Sequence, residues 1–161
     1  MKFPDPNAAY EWAASRCARA EYCRADLARK LADAELAQAD IERVLDRLED
    51  EHFIDHERYA RAFVHDKFEY SQWGRVKISQ ALRLKKISRQ LIQSALDEVI
   101  EPTRYAETLL ALLRHKRRSL VYDPTDRKAR FAASQKLVRF CVSRGFETDL
   151  IFSTIDQLDP L

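Results

Sequence analysis

The segment RADLARKLADAELAQADIERVLDRL, residues 24–48, decides the fold of this 161-residue chain, because it pairs two amphipathic helices across a short turn. Its apolar residues recur at the spacing of one helical face on either side of that turn. They are Leu27 and Leu31, then Leu36 in the turn, then Ile41, Leu45 and Leu48. We predict that both helical faces meet in one core and that the turn residue plugs it.

The same apolar pattern occurs three times along the chain, which indicates an internal repeat. Adding 51 to the six positions gives Ile78, Leu82, Ile87, Ile92, Leu96 and Val99. Adding 110 gives Leu137, Cys141, Phe146, Ile151, Ile155 and Leu158. Since all 18 positions are apolar, we predict three structurally equivalent units.

A further helix precedes each pair, over residues 8–20, 56–70 and 103–119. The pattern therefore predicts an all-α protein of three tandem three-helix units of the helix-turn-helix type. The boundaries fall at 1–54 with an N-terminal tail, at 55–101, and at 102–161 with an internal loop over 120–126. Because each unit chiefly contacts its neighbours, we expect an elongated, curved arrangement.

Glycine scarcity excludes several other folds. The chain has 2 glycines, where a typical chain of this length has about 11. Tight β-hairpins and phosphate-binding loops need glycine, so a β-sandwich, a barrel and a glycine-rich nucleotide fold are excluded.

One glycine has a clear place in the repeat. Gly145 precedes the third plug residue and suits the left-handed position that ends a helix. Glu35 and Lys86 stand at the equivalent positions. Either these two residues adopt positive φ at an energetic cost, or the first two turns use another geometry.

Two aspartates are candidate helix starts. Asp55 is placed to cap the helix that opens the second unit. Asp123 precedes Pro124, and proline is favoured in a first turn, so a helix start is predicted there.

No catalytic, metal or cofactor site is predicted. His52 and His56 have a spacing that suits a metal on one helix face, but a helix break is expected between them. The chain has no H-E-x-x-H, glycine loop or G-x-S-x-G motif.

Its 3 cysteines fit no C-x-x-C spacing, and it shows no secretory signal or apolar run of about 18 residues. We expect a cytoplasmic protein with reduced thiols and no membrane contact.

Charge is unevenly distributed, with −5 over residues 1–56, +3 over 57–101, +8 over 102–144 and −4 over 145–161. Two basic groups stand out as a candidate binding surface. The first comprises Arg114, Lys116, Arg117, Arg118, Arg127, Lys128 and Arg130; the second comprises Arg75, Lys77, Arg83, Lys85 and Lys86. Cations at a helix C-terminus can simply complement its dipole. The alternative is contact with phosphates or with an acidic protein surface.

Trp73 allows two interpretations as well. Its ring could stack on a nucleic-acid base, or it could cover a small helical core.

Four segments of the chain together resemble those of a known protein family. The junction FIDHERYARAF over residues 53–63 resembles that of the RecX family of recombinase regulators. RADLARKL over 24–31, IERVLDRL over 41–48 and RGF over 144–146 resemble the helices and third-unit turn of that family. The resemblance covers about residues 8 to 158. His56 departs from the usual aspartate, and Glu35 and Lys86 depart from the usual glycine.

The resemblance implies a function. Members of the family bind the RecA recombinase, chiefly as a filament on single-stranded DNA, and suppress its growth, ATP hydrolysis and strand exchange without a cofactor. It therefore implies a monomeric, non-enzymatic partner of the RecA filament and of the single-stranded DNA within it, and leaves open a weak direct contact with DNA. Two other functions remain open from the residues alone. One is a stand-alone helical DNA-binding protein, and the other is a helical protein adaptor without DNA affinity.

Overall fold

A computed structural model describes residues 1–158, and every regular element in that range is a helix. The nine helices of the described range are α1 (Pro6–Cys17), α2 (Arg24–Asp33), α3 (Gln38–Asp50), α4 (His56–Glu69), α5 (Arg75–Leu84), α6 (Arg89–Val99), α7 (Pro102–Ser119), α8 (Arg127–Ser143) and α9 (Thr148–Asp156). The predicted all-α class is confirmed. α1 ends three residues earlier than predicted, and a loop over 120–126 separates α7 from α8.

The chain forms two compact units. The first unit comprises Met1–Phe63 and Ala81–Ala95, and the second comprises Val64–Gln80 and the chain from Leu96 onward. Helices α4, α5 and α6 contribute residues to both units. The division into three repeats at residues 54 and 101 stays a prediction.

The repeating apolar residues form the cores of these units. Of the 18 predicted positions, 15 are buried, and the remaining Leu36, Val99 and Ile155 are partly buried. In the first unit they pack with the buried α1 residues Ala9, Tyr10 and Ala13. Periodicity therefore identifies the core because each helix buries one face.

All three plug turns have the same left-handed geometry. Glu35, Lys86 and Gly145 have φ of 63°, 61° and 93°. The N–H group of each plug residue donates to a carbonyl five residues earlier, which is the Schellman arrangement. These bonds are Leu36 to Leu31, Ile87 to Leu82 and Phe146 to Cys141, each of 3.1 Å. Of the two alternatives for Glu35 and Lys86, positive φ is therefore correct.

The two glycines contact each other in the second unit. Gly74 N–H donates to the Arg144 carbonyl at 2.8 Å, and Val76 N–H donates to the Gly145 carbonyl at 2.9 Å. A Cβ atom on Gly74 would collide with the Gly145 carbonyl, and one on Gly145 would collide with Lys77. Glycine at both positions thus lets the start of α5 pack directly on the α8–α9 turn.

One predicted helix start is confirmed and the other is wrong. Asp55 Oδ1 accepts from Arg58 N–H at 3.0 Å and caps α4. α8, however, begins at Arg127, with Asp126 accepting from Lys128 N–H at 3.0 Å. Asp123 instead accepts from both the N–H and the hydroxyl of Thr125. Its side chain closes a local turn, so the helix starts only after that turn.

The histidine pair is separated, as the expected helix break implies. His52 lies outside the helices with φ of 63°, whereas His56 is the first residue of α4. His56 Nε2 accepts from Arg24 N–H at 3.1 Å, at the start of α2, where Cys23 provides no side-chain cap. Burial lowers the pKa of His56. Neutral His56 therefore caps α2, and a protonated ring cannot accept that bond.

The left-handed turns generate a prediction about stability. Glu35→Gly and Lys86→Gly should each raise the free energy of unfolding by roughly 1 kcal/mol, because glycine avoids the left-handed penalty at some cost in unfolded-chain entropy. Denaturant titration measures the change. Glu35→Ala is the matched control, since it also removes the exposed contact with Lys2 but keeps the strain. A glycine variant no more stable than the alanine variant would contradict the assignment.

The His56 cap predicts a pH dependence. The folded-state pKa lies below the ordinary value of 6.5, so the folded protein binds fewer protons than the unfolded chain near that pH. The free energy of unfolding should be highest above pH 6.5, and it should decrease as the pH falls below that value. His56→Gln keeps a hydrogen-bond acceptor without titrating, and should flatten this dependence in melts between about pH 5.5 and 7.5. Equal slopes in the two proteins would refute the cap.

Candidate basic interface

The first predicted basic group is brought together around the loop over 120–126. Four of its residues lie in the last two turns of α7 and three in the first turn of α8, and these helices pack against each other in the second unit. We call this set the basic cluster; it consists of Arg114, Lys116, Arg117, Arg118, Arg127, Lys128 and Arg130. All but Lys116 and Arg117 are exposed.

The two halves of the basic cluster differ in what helix stability can explain. Cations in the last turn of α7 complement the negative end of its dipole. Lys116 also lies over the Phe140 ring, with Nζ at 5.2 Å from its centre. In α8 the cations occupy the first turn, which has no acidic residue. Positive charge is unfavourable there, so the stability of α8 does not account for Arg127 and Lys128.

The exposed members of the basic cluster have no ion-pair partner within residues 1–158. No carboxylate of that range lies within 4 Å of Arg118, Lys128 or Arg130, nor of Arg114 or Arg127. Their charges are solvated. They are therefore available to an anionic partner without first breaking an internal contact.

The second predicted basic group is used differently, because three of its five members make internal contacts. Arg75 Nη1 lies 2.9 Å from Glu147, and Lys85 Nζ lies 2.8 Å from Asp26. Lys77 Nζ lies 4.4 Å from the centre of the Trp73 ring. Arg83 and Lys86 are exposed. A packing role thus accounts for Arg75, Lys77 and Lys85.

Arg75 belongs to a partly buried polar network. The Arg75 guanidinium stacks 3.8 Å from the centre of the Tyr105 ring. The backbone N–H of Arg75 donates to the Tyr105 hydroxyl at 3.0 Å. That hydroxyl in turn donates to Glu147. Burial and the neighbouring carboxylate raise the pKa of Tyr105. The neutral phenol therefore ties the starts of α5 and α9 to α7.

Trp73 is partly buried and lies near two cations. Lys67 Nζ is 4.7 Å and Lys77 Nζ 4.4 Å from its ring centre. Such contacts stabilise the ring in place. These internal contacts favour the packing interpretation over base stacking.

The sequence interpretation missed three exposed residues of α8, which are Phe131, Lys136 and Arg139. α8 carries five cations and no carboxylate over residues 127–143, and all five cations are exposed. That one-sided composition was visible in the sequence. The exposure of Phe131 was not, because a large apolar side chain in a helix is more often buried.

Cys23 and Cys141 are buried free cysteines. Burial raises the pKa of Cys23, and raises that of Cys141 to about 11, which keeps both as thiols near neutral pH. Across residues 1–158, no helix combines the length and apolar character that a membrane crossing requires.

Sequence comparison identifies the relatives of this chain. Residues 55–96 match the family model for the second three-helix domain of RecX. The regulatory protein RecX of Ralstonia nicotianae is 32% identical over 143 residues, covering 89% of this chain and 83% of that protein. The regulatory protein RecX of Leptothrix cholodnii is 37% identical over 139 residues, covering 86% and 82%.

Solved structures show the same fold. The crystal structure of RecX from Lactobacillus salivarius superposes with a TM-score of 0.80 at 20% identity, over 97% of both chains. A second crystal structure of regulatory protein RecX gives 0.80 at 22% identity, over 94% of this chain and 73% of that chain. The repeated helical pattern, the shared fold and the identities above 30% together place this chain in the RecX family of regulatory proteins.

Proposed function

We propose that this chain is a non-enzymatic negative regulator of the RecA recombinase. It binds the filament that RecA forms on single-stranded DNA and limits its extension, ATP hydrolysis and strand exchange. Membership of a regulatory family supports the general role. The proposed form is a monomer that acts in the cytoplasm without a cofactor.

The observation that carries the proposal is the set of five exposed members of the basic cluster, which make no ion pair within the described residues. They are Arg114, Arg118, Arg127, Lys128 and Arg130. A nucleoprotein filament presents phosphates and acidic side chains, and both attract such a surface. The cations of the α8 first turn oppose the helix dipole, so a partner's negative charge explains their presence better than helix stability does. Mechanistically, occupancy of the filament opposes the addition of further protomers and the cycling of those already bound.

A second candidate is a helical protein that binds DNA by itself. The same exposed cations favour it, because phosphate contacts require no protein partner. The two functions differ in one measurable respect: only the first requires the recombinase for its effect. A protein adaptor without DNA affinity is less well supported, since α8 carries positive charge alone.

Inhibition of the RecA ATPase on single-stranded DNA tests the proposal. We expect inhibition at about one protein per RecA protomer or below. A variant with glutamine at Arg114, Arg118, Lys128 and Arg130 should require roughly tenfold more protein for half-inhibition, because four charges that attract the filament are removed. Each lost phosphate contact should also reduce the log–log salt slope by about 0.7. Its melting temperature should stay close to that of the unchanged protein, since all four side chains are exposed.

The first unit offers a control of equal charge with four exposed cations, namely Arg19, Arg29, Lys30 and Arg43. Arg29 and Arg43 each lie near one carboxylate of their own helix, that of Asp26 and that of Asp40. Replacement of all four cations by glutamine changes net charge equally and should leave inhibition nearly unchanged. Equal losses in the two variants would show that only net charge matters. Absence of inhibition by the unchanged protein would reject the proposed function, and salt-steep binding to DNA alone would then favour the second candidate.

A further inference from the structure

Three aromatic side chains in residues 1–158 are strongly exposed, and their electrostatic surroundings differ. Tyr70 is 78%, Phe131 66% and Phe152 48% exposed. Tyr70 follows Glu69 and packs edge-on against His65, 5.8 Å between ring centres. The charged residues of the helix that carries Phe152 are both aspartates. Phe131 alone lies on a helix whose charged residues are all cations.

The neighbours of Phe131 on α8 follow from helical geometry. Arg127 and Lys128 precede it by four and three residues, so they lie beside it on the same face. Ser134 and Gln135 follow it by three and four residues. An exposed ring is therefore flanked by two positive charges on one side and by hydrogen-bonding groups on the other.

The ring of Phe131 also takes part in no stacking contact within the described residues. No aromatic ring or cation of residues 1–158 stacks against it. This distinguishes it from Trp73, which has two lysines close to its ring. A ring that is 66% exposed contributes little to a core, so the burial that stabilises the fold accounts for little of it.

We propose that Phe131 is a base-stacking residue for single-stranded nucleic acid, with Arg127 and Lys128 holding the adjacent phosphates. An aromatic platform beside a basic surface is the arrangement by which proteins bind single strands without sequence preference. The inference rests on the proposed function, since it identifies the anion that the α8 half of the basic cluster contacts there. It assigns that half directly to DNA rather than to acidic side chains of the recombinase.

Two physical arguments favour a single strand over the other partners. In a duplex the bases are already stacked on one another, and access by a side chain requires unstacking a step. An apolar protein groove would need a continuous apolar stripe, but Ser134 and Gln135 interrupt α8 between Phe131 and Val138. A lone aromatic residue among cations fits an unpaired base best.

The decisive experiment compares two fluorescently labelled oligomers of equal length and charge. One is a thymidine oligomer, and the other has the same sugar–phosphate chain without bases. The unchanged protein should bind the thymidine oligomer about tenfold more tightly in anisotropy titrations, which is the contribution expected of one stacked base. Phe131→Leu keeps the apolar bulk but lacks a π face, so it should bind both oligomers alike, with an unchanged salt slope.

Two further variants complete the design. Phe131→Tyr keeps an aromatic face and should retain the preference for bases. Tyr70→Leu removes an equally exposed aromatic ring outside α8 and should also retain it. Because Phe131 and Tyr70 are both exposed, the substitutions should leave the fold intact. Melting curves of each variant check this.

Several outcomes would overturn the inference. These are an unchanged base preference in Phe131→Leu, an equal loss of affinity for both oligomers, and no base preference in the unchanged protein. Loss of RecA inhibition in Phe131→Leu with base preference intact would make Phe131 a protein contact instead, which also overturns it. If base preference depends on Phe131 while the protein fails to inhibit RecA, the stacking role stands and the proposed function falls.

Discussion

The fold depends on one backbone constraint: the chain must enter the left-handed region for a single residue after helices α2, α5 and α8. That residue turns the chain so that the next side chain, Leu36, Ile87 or Phe146, reaches the core. For Glu35 and Lys86 the conformation costs about 1–2 kcal/mol. Full burial of a large apolar side chain contributes roughly 1.5–3 kcal/mol. Burial of Ile87 therefore offsets the strain at Lys86, and the partial burial of Leu36 offsets part of the strain at Glu35.

The third of these turns also holds one of the predicted binding cations, Arg75, in an internal contact. Gly145 contacts Gly74 backbone to backbone, and Glu147 just beyond binds Arg75 and Tyr105. Arg75 thus holds its helix in place instead of facing a partner. The positive charge of Arg75 is unfavourable at the start of α5. The carboxylate of Glu147, at the start of α9, offsets it. Arg127 and Lys128 make no such ion pair within the described residues, where the nearest acidic group in the sequence is the capping Asp126. The proposed function rests on this difference.

Membership of the RecX family gives these charges a context. The family consists of regulatory proteins, and its fold is reproduced here by helices that bury one face each. The proposed function therefore uses the exposed faces. In the second unit these combine the basic cluster with an exposed phenylalanine, and the proposed contact with nucleic acid rests on that combination.

The sequence by itself predicted the helices and the apolar residues that fill the core, because each depends on spacings within one helix or one turn. It left two geometries open at Glu35 and Lys86, and the structure shows that both residues are left-handed. The sequence misplaced the start of α8, since Asp123 and Asp126 are both suited to capping and only the local turn with Thr125 decides between them. Only the tertiary structure decided which cations are available. Glu147 lies 72 residues from Arg75, and Asp26 lies 59 residues from Lys85. Helical periodicity is a local property, whereas ion pairs and exposure arise when distant segments pack together.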